Sequence, residues 1–431
     1  MAFRSVKPKR VLMVISVLAR GGCERQMLAT VSGLISRGYE IEIFTLAPVP
    51  NGEPTFEQEF AALGVASSCA FDFGDMTNLT DTTDDEHGLQ RFVPILGHLN
   101  IARLGQALEQ VIRRFQPEVV HCWADLASLV GGLVATSLSV GSTVLQIVSV
   151  PPSPTELPGA YLYRKAYRLL LRDPNVVMLS NNTANARDFE RWLEVSRGTV
   201  KLLRNGFLPS SVQIRRGEEI VECRRQFGLP PNVSVVGALM RFADEKDPDL
   251  WLETASAIAA ARPDVCFVLA GYGVLANRIA CKAEEFGLGE RLILLGPTRD
   301  VGAVYAAMDV FLMTSRFEGT PNVLIEAQAA GVPVVTPAVG GTSETLVDGL
   351  TGLLVPTRTA EQIGDAVMRV LNDPLWRQRA ARHGPQFVSR RFAWQRKIKQ
   401  TIGFYERAAR RRMQCVNGLS ERLEPSRFWS V

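Results

Sequence analysis

Short apolar runs separated by stretches of helical periodicity recur along this chain in two sets. Residues 10–17, 40–46, 119–121, 142–150, 175–179 and 200–203 form the first, and 233–239, 265–269, 291–294, 310–313, 332–336 and 352–355 the second. Within each run the apolar character is continuous rather than alternating, as in a strand covered on both faces, and the intervening helices are the crossovers that parallel strands require. Two parallel sheets, each flanked by helices, follow. The 431 residues exceed one ordinary core and suit two domains of about 200 residues. The expected fold class is α/β, with two doubly wound, Rossmann-like domains at 1–205 and 206–389. Ligands of such sheets bind outside the carboxyl ends of the strands, so a cleft between the domains is the expected site.

Hydrophobic content of 46% with 21% charge fits an ordinary globular protein, and a net charge of +4 is too small to imply nucleic acid. Seven cysteines, at positions without metal spacing, read as reduced thiols of a cytoplasmic protein. Four histidines, none paired at ligand spacing, give a zinc site little support. The start of the chain imitates a signal peptide, but Arg20, Gly21 and Gly22 follow the apolar run directly and a first buried strand fits better. Residues 126–155 are uncharged and long enough to span a bilayer; their serines and threonines, and the break at Gly141, favour a buried helix followed by a buried strand. Residues 51–100 read mostly as an irregular surface excursion with a weak helix near 56–63.

The stretch 315–335, SRFEGTPNVLIEAQAAGVPVV, carries Glu318 and Glu326 across an expected loop-to-helix junction. Thr320 is the expected N-cap and Pro321 the first helical residue; Gly331 and Pro333 end the helix. Glu318 then lies just before a helix N-terminus and Glu326 one to two turns inside it. Free N–H groups there attract phosphate, and a carboxylate suits sugar hydroxyls. Two solvated glutamates at the start of an amphipathic helix are the plain alternative for this pair taken alone.

With seven residues between the two glutamates, and with Gly319, Thr320, Asn322, Val323 and the AAGVPVV exit around them, the segment resembles the E-x7-E signature of retaining GT-B glycosyltransferases, most closely family 4. The resemblance covers roughly 10–408. It implies that Glu318 lies near the donor sugar and that Glu326 binds the nucleotide ribose. It likewise implies nucleotide-side roles for Gly319, Thr320, Asn322 and Val323.

Further motifs follow in family order. Arg241 and Lys246 stand five residues apart after the first strand of the second domain, where the resemblance makes them cations for the diphosphate. A surface pair beside Asp244 and Asp247 is their plain alternative. Asp247-Pro248-Asp249 formally matches a metal-binding DxD, yet Asp247 reads more simply as the cap of a helix starting at Pro248, and the family typically needs no metal. Gly271 and Gly273 fit G-x-G-x-x-A after a strand, but the next strand ends without the acid that holds an adenosine ribose. They are read as nucleotide-side turns, with Arg299 in PTRD as a further wall near the base.

In the first domain, Gly21 and Gly22 resemble the family's glycine loop, with Cys23 in place of alanine and a helix expected from Glu24. His121, in PEVVHCW, matches the family's strand-end histidine, which the resemblance makes a catalytic-site residue approaching the donor sugar or acceptor, while Trp123 stands where many members have a second one. Ser180 and Asn205-Gly206 match landmarks read as structural. Residues 390–413 resemble the helix that crosses back to the first domain, and 414–431 read as a tail. Arg164, Arg168 and Arg172 recur every four residues on one helix, either as a solvated face or as a basic face for anionic lipid at the cytoplasmic membrane surface.

The implied activity is a metal-independent, retaining transfer of sugar from a nucleotide-diphosphate sugar to a glycan or lipid-linked glycan, in cell-surface polysaccharide or glycolipid biosynthesis. No cofactor is expected beyond that donor substrate. A GT-B-fold sugar-nucleotide epimerase, or an NAD-dependent oxidoreductase, are the alternatives.

Overall fold

The computed structural model describes residues 9–49, 53–73, 101–152, 160–230 and 232–420, with 408–420 through their backbone alone. The chain divides into two compact units, Met1–Leu203 with Lys397–Val431, and Arg204–Arg396.

In the first unit, β1 (Arg10–Ile15), β2 (Glu40–Thr45), β3 (Ala66–Cys69), β4 (Val119–Trp123), β5 (Ser142–Ile147), β6 (Val176–Ser180) and β7 (Lys201–Leu202) form one parallel sheet in the order β3-β2-β1-β4-β5-β6-β7. Leu12 and Val14 join the core on one face while Val11, Met13 and Ile15 join that on the other, which is why β1 reads as an unbroken apolar run. The uncharged stretch after 125 is the helix Asp125–Ser137 followed by β5. Among the described residues no helix is long and apolar enough to cross a membrane.

The weak helix expected near 56–63 is present as Glu57–Ala62, but one expectation for this segment needs correction: the edge strand β3 follows it, and its sequence, ASSC, has no apolar run to announce it. Residues 74–100 lie outside the described residues. The basic helix is Ala160–Leu170 and ends before Arg172; its Arg164 Nη2 and Arg168 Nη1 lie 2.5 and 3.0 Å from the exposed Glu194 carboxylate, an arrangement that fits the solvated-face reading.

The second unit repeats the plan. Strands β8 (Ser234–Arg241), β9 (Val265–Tyr272), β10 (Leu292–Leu295), β11 (Val310–Leu312), β12 (Val334–Pro337) and β13 (Gly352–Val355) are parallel in the order β10-β9-β8-β11-β12-β13. In both sheets the direction of strand addition reverses once, at β1/β4 and at β8/β11. Crossovers leave such a switch point on opposite sides, and the strand ends there are open to a ligand.

The helix expected over 390–413 is displaced. Arg390 and Arg391 end the preceding helix, Pro374–Arg391, because the Phe392 carbonyl accepts from the Phe207 amide at 2.8 Å and Phe207 bridges to Ala393. The final helix is Trp394–Ser420 and takes in 414–420, part of the expected tail. In the first unit it is anchored by buried Ile398, Thr401 and Tyr405 and by Lys397. The Lys397 ammonium donates to the Gln26 carbonyl (3.1 Å) and to Gln26 Oε1 (2.7 Å), and lies 5.3 Å from the centre of the Trp123 ring. Burial lowers its pKa to about 7, against a partial opposing effect from Cys23.

A lysine whose folded pKa lies below its unfolded value binds fewer protons folded than unfolded between the two values, so stability rises with pH across that window. From pH 7 to 8, where unfolded thiols are still mostly protonated, the first unit gains up to about 1 kcal/mol per pH unit from Lys397. Denaturant unfolding of Lys397→Met should lack that slope; equal slopes in the variant and the parent contradict the assignment.

Candidate active site

The switch point of the second sheet brings together two loops distant in sequence. After β8 the chain turns through the short 3-10 segment Asp244–Lys246, and after β11 it runs through Thr314 and Ser315 to Glu318. Lys246 Nζ lies 2.7 Å from Glu318 Oε1, and the Glu318 side chain is only 9% exposed. Three contacts hold the loops in register: the Arg316 amide donates to the Glu245 carbonyl (2.8 Å), and the Thr314 hydroxyl reaches the carbonyls of Lys246 (3.3 Å) and Asp247 (3.1 Å).

Asp247 is the knot of this arrangement. Its backbone is left-handed at φ 51°, a conformation unfavourable for a residue with a Cβ, and it persists because its surroundings over-determine it. Oδ1 caps the helix Pro248–Ala261 through the Leu250 amide, while Oδ2 pairs with Arg358 and with Arg316 Nε at 3.1 Å. Asp249 is engaged by Arg278 and by Lys282 at 2.7 Å. Both carboxylates of the DxD triplet therefore carry cationic partners. Among the described residues no group of three or more His, Cys, Asp or Glu is arranged to hold a metal.

The second glutamate rides on the helix Asn322–Ala329. Its start corrects the expectation: Pro321, with ψ at 113°, occupies the capping position rather than the first turn, and no side-chain hydrogen bond caps the helix. Asn205 accounts for the difference. Its buried amide donates to the Thr320 carbonyl (3.1 Å) and to Asn322 Oδ1 (2.8 Å), holding the two residues on either side of the proline. Leu324, Ile325 and Ala327 face the core, and Gly331, at φ 82°, ends the helix as expected. Behind the loop, Gly340 approaches so closely that a Cβ there would meet the Glu318 carbonyl at 1.9 Å, and the Gly341 amide donates to the Gly319 carbonyl at 3.0 Å. Glu326 is 4% exposed and its Oε2 accepts from the Tyr305 hydroxyl at 2.9 Å; Val323, half-buried, packs on the adjoining core.

The remaining residues of the second unit surround this centre unevenly. Arg241, at the end of β8, is 62% exposed and pairs with Glu245 at 2.6 Å. Gly271 and Gly273 stand beside it: a Cβ on Gly271 would lie 1.9 Å from the Met240 carbonyl and one on Gly273, at φ 145°, 2.5 Å from the Phe242 carbonyl. Their first requirement is thus the close pairing of β9 with the end of β8. Arg299 is exposed in the turn before the helix Val301–Ala307, which supplies Tyr305 and which Asp300 caps through the Ala303 amide at 3.0 Å.

Gly21 and Gly22, beyond the end of β1, and His121, which lies in the middle of β4 rather than at the strand end expected of it, belong to the first unit. The helix there starts at Gly22, two residues earlier than expected, with Gly21 in the capping position. A Cβ on Gly21 would lie 2.3 Å from Glu24 Oε2, so the absent side chain leaves room for that carboxylate. His121 is fully buried, stacked on Trp123 with ring centres 4.7 Å apart, and its Nδ1 lies 2.7 Å from the Tyr405 hydroxyl. Burial, then the nearby Lys397 charge, lower its pKa to about 3, so the ring is neutral. Its Nε2 is buried without a hydrogen-bond partner among the described residues.

Tyr305, Thr314, Arg358 and Lys397 carry no signal in the sequence, and Asn205 reads there only as a landmark. The Gly340-Gly341 pair after a strand is a usable signal for a backbone approach; the others look like ordinary core or surface residues until their partners are known.

Residues 220–387 match the family model of glycosyl transferases group 1. The chain is 30% identical over 282 residues to the Vi polysaccharide biosynthesis protein VipC/TviE of Salmonella typhi, covering 64% of this chain and 48% of that protein. It is 26% identical over 385 residues to a D-inositol 3-phosphate glycosyltransferase of Corynebacterium aurimucosum, covering 85% and 87%. The chain thus spans about half the length of the Salmonella relative. Among solved structures, Anabaena HepE in complex with UDP superposes with a TM-score of 0.72 at 18% identity, over 91% of this chain and 98% of that one. That likeness establishes the GT-B fold. The family match covers the strands and helices that assemble Lys246, Glu318 and Glu326, so the likeness to the group 1 glycosyl transferases lies in the second unit.

Proposed function

We propose that the protein transfers a sugar from a nucleoside-diphosphate sugar to a hydroxyl of a glycan or lipid-linked glycan, with retention at the anomeric carbon, in the cytoplasmic assembly of a surface polysaccharide or glycolipid. The observation that carries this reading is the junction of β8 and β11, where Lys246 and Glu318 meet beside the helix bearing Glu326. The similarity to a Vi polysaccharide biosynthesis protein and to a UDP-bound fold relative supports the product class and a nucleotide donor.

In this reading Glu326 accepts hydrogen bonds from the ribose hydroxyls, while Lys246 and Arg241 face the diphosphate. As the bond from the anomeric carbon to the phosphate oxygen breaks, negative charge grows on the leaving group and positive character on the sugar ring. Fixed cations stabilise the first and the Glu318 carboxylate the second. The acceptor oxygen forms its bond on the face the phosphate leaves, and its proton passes to the departing phosphate oxygen. Glu318 also holds the Lys246 ammonium in place, so the two act as a unit. No metal enters: Asp247 and Asp249 are occupied by arginine and lysine.

Replacing Arg241 or Lys246 with alanine should lower turnover at saturating donor by roughly 100-fold, the scale of losing one preorganised charge-stabilising group. Ribose contacts persist from ground state to transition state, so Glu326→Gln should chiefly raise KM, whereas Glu318→Gln should chiefly lower kcat. Steady-state kinetics with nucleoside diphosphate affinity measured separately checks this; weakened nucleotide binding in Glu318→Gln together with a pure turnover defect in Glu326→Gln means the two roles are exchanged.

Metal independence and donor class are tested together by screening nucleotide sugars for nucleoside diphosphate release before and after exhaustive chelation. Release from at least one donor, unchanged by EDTA, is expected. Loss with EDTA and recovery with manganese or magnesium would overturn the metal-free reading.

A further inference from the structure

The helix Val301–Ala307 received no functional residue from the sequence, yet its Tyr305 is fully buried and directs its hydroxyl at Glu326 Oε2, 2.9 Å away. Two features fix that hydroxyl. The ring packs on Phe311 of β11, with centres 5.9 Å apart, and the same oxygen lies 3.5 Å from the Val323 carbonyl on the helix that carries Glu326. A phenol has one proton to donate, and a carboxylate is the stronger acceptor, so the bond to Glu326 is the charge-assisted one. Glu326 is itself 4% exposed, and a carboxylate so enclosed needs donors to replace its lost water.

We propose that Tyr305 is a positioning residue for the nucleoside end of the donor: it locks the Glu326 carboxylate in the orientation that receives a ribose diol. This rests on the reading that Glu326 binds the ribose. Tyr305 is fully buried and meets the carboxylate from the core side of the helix. A carboxylate fixed in advance loses less freedom when the sugar arrives, so removing the phenol hydroxyl costs affinity for ribose hydroxyls in particular. A tyrosine that merely fills the core would show no such selectivity, since its loss would weaken every ligand of the unit alike.

The test uses the whole protein, whichever of UDP, GDP and ADP it binds most tightly, and the 2′,3′-dideoxy counterpart of that nucleotide. Tyr305→Phe should weaken the ribonucleotide roughly tenfold and the dideoxy nucleotide less than about twofold, with kcat at saturating donor near the parent value. Glu326→Gln should show the same selectivity. Equal weakening of both nucleotides by Tyr305→Phe, or no weakening of either, overturns the proposal while leaving the role of Glu326 intact if Glu326→Gln remains selective. If Glu326→Gln is itself unselective, or no nucleotide binds, the ribose reading falls and the proposal with it. Should the phenylalanine variant lose its native circular dichroism, Tyr305→Met removes the same hydroxyl with a more adaptable side chain.

Discussion

Lys246 and Glu318 are seventy-two positions apart, and their ion pair exists only because β8 and β11 are neighbours in a parallel sheet. That adjacency is the switch point of the second unit, where strands are added first toward β10 and then, from β11, toward β13. Parallel strands all present their carboxyl ends at one edge, so the loops after β8 and β11 meet there, and crossover helices lie on the sheet faces rather than over the edge. Everything proposed about chemistry in this unit depends on that meeting.

The supporting structure is dominated by ionic and backbone contacts rather than apolar packing. Asp247 tolerates a left-handed backbone because Leu250, Arg316, Arg358 and Thr314 each bind part of it, and the residue so constrained immediately follows Lys246. On the opposite side Gly340 presses against the Glu318 backbone, and the Gly341 amide holds the Gly319 carbonyl. A loop bounded in this way presents its charged groups with little rearrangement, which is what electrostatic stabilisation of a developing charge requires. Breaking one partner of a buried pair costs more than an exposed pair is worth, about 3–5 kcal/mol against 0–1. The exposed Arg241–Glu245 pair is therefore a weak structural element.

Continuous apolar runs made both sheets legible, since a strand buried on both faces cannot hide its composition. The polar edge strand β3 escaped for the same reason: an edge strand of ASSC carries no such run. Helix ends were less readable. Pro321 suits a first turn by local preference, yet the Asn205 amide fixes Thr320 and Asn322 from a distant segment, and tertiary context overrides the propensity. The break at Phe392 has a similar cause, a backbone bond from Phe207 that no local pattern reveals. At the candidate site, side chains with a charge or a motif could be nominated from sequence. Residues that act on them from behind, such as Tyr305 and Arg358, could not, because their identity is ordinary and only their partners are informative.

Nucleotide binding at the carboxyl ends of β8, β9 and β11, as proposed, is open to hydrogen–deuterium exchange of the whole protein with and without saturating nucleoside diphosphate. Slower exchange in 240–247, 271–274 and 318–326 is expected. A nucleotide that binds, yet leaves exchange in all three segments unchanged while slowing it elsewhere in the chain, would contradict it.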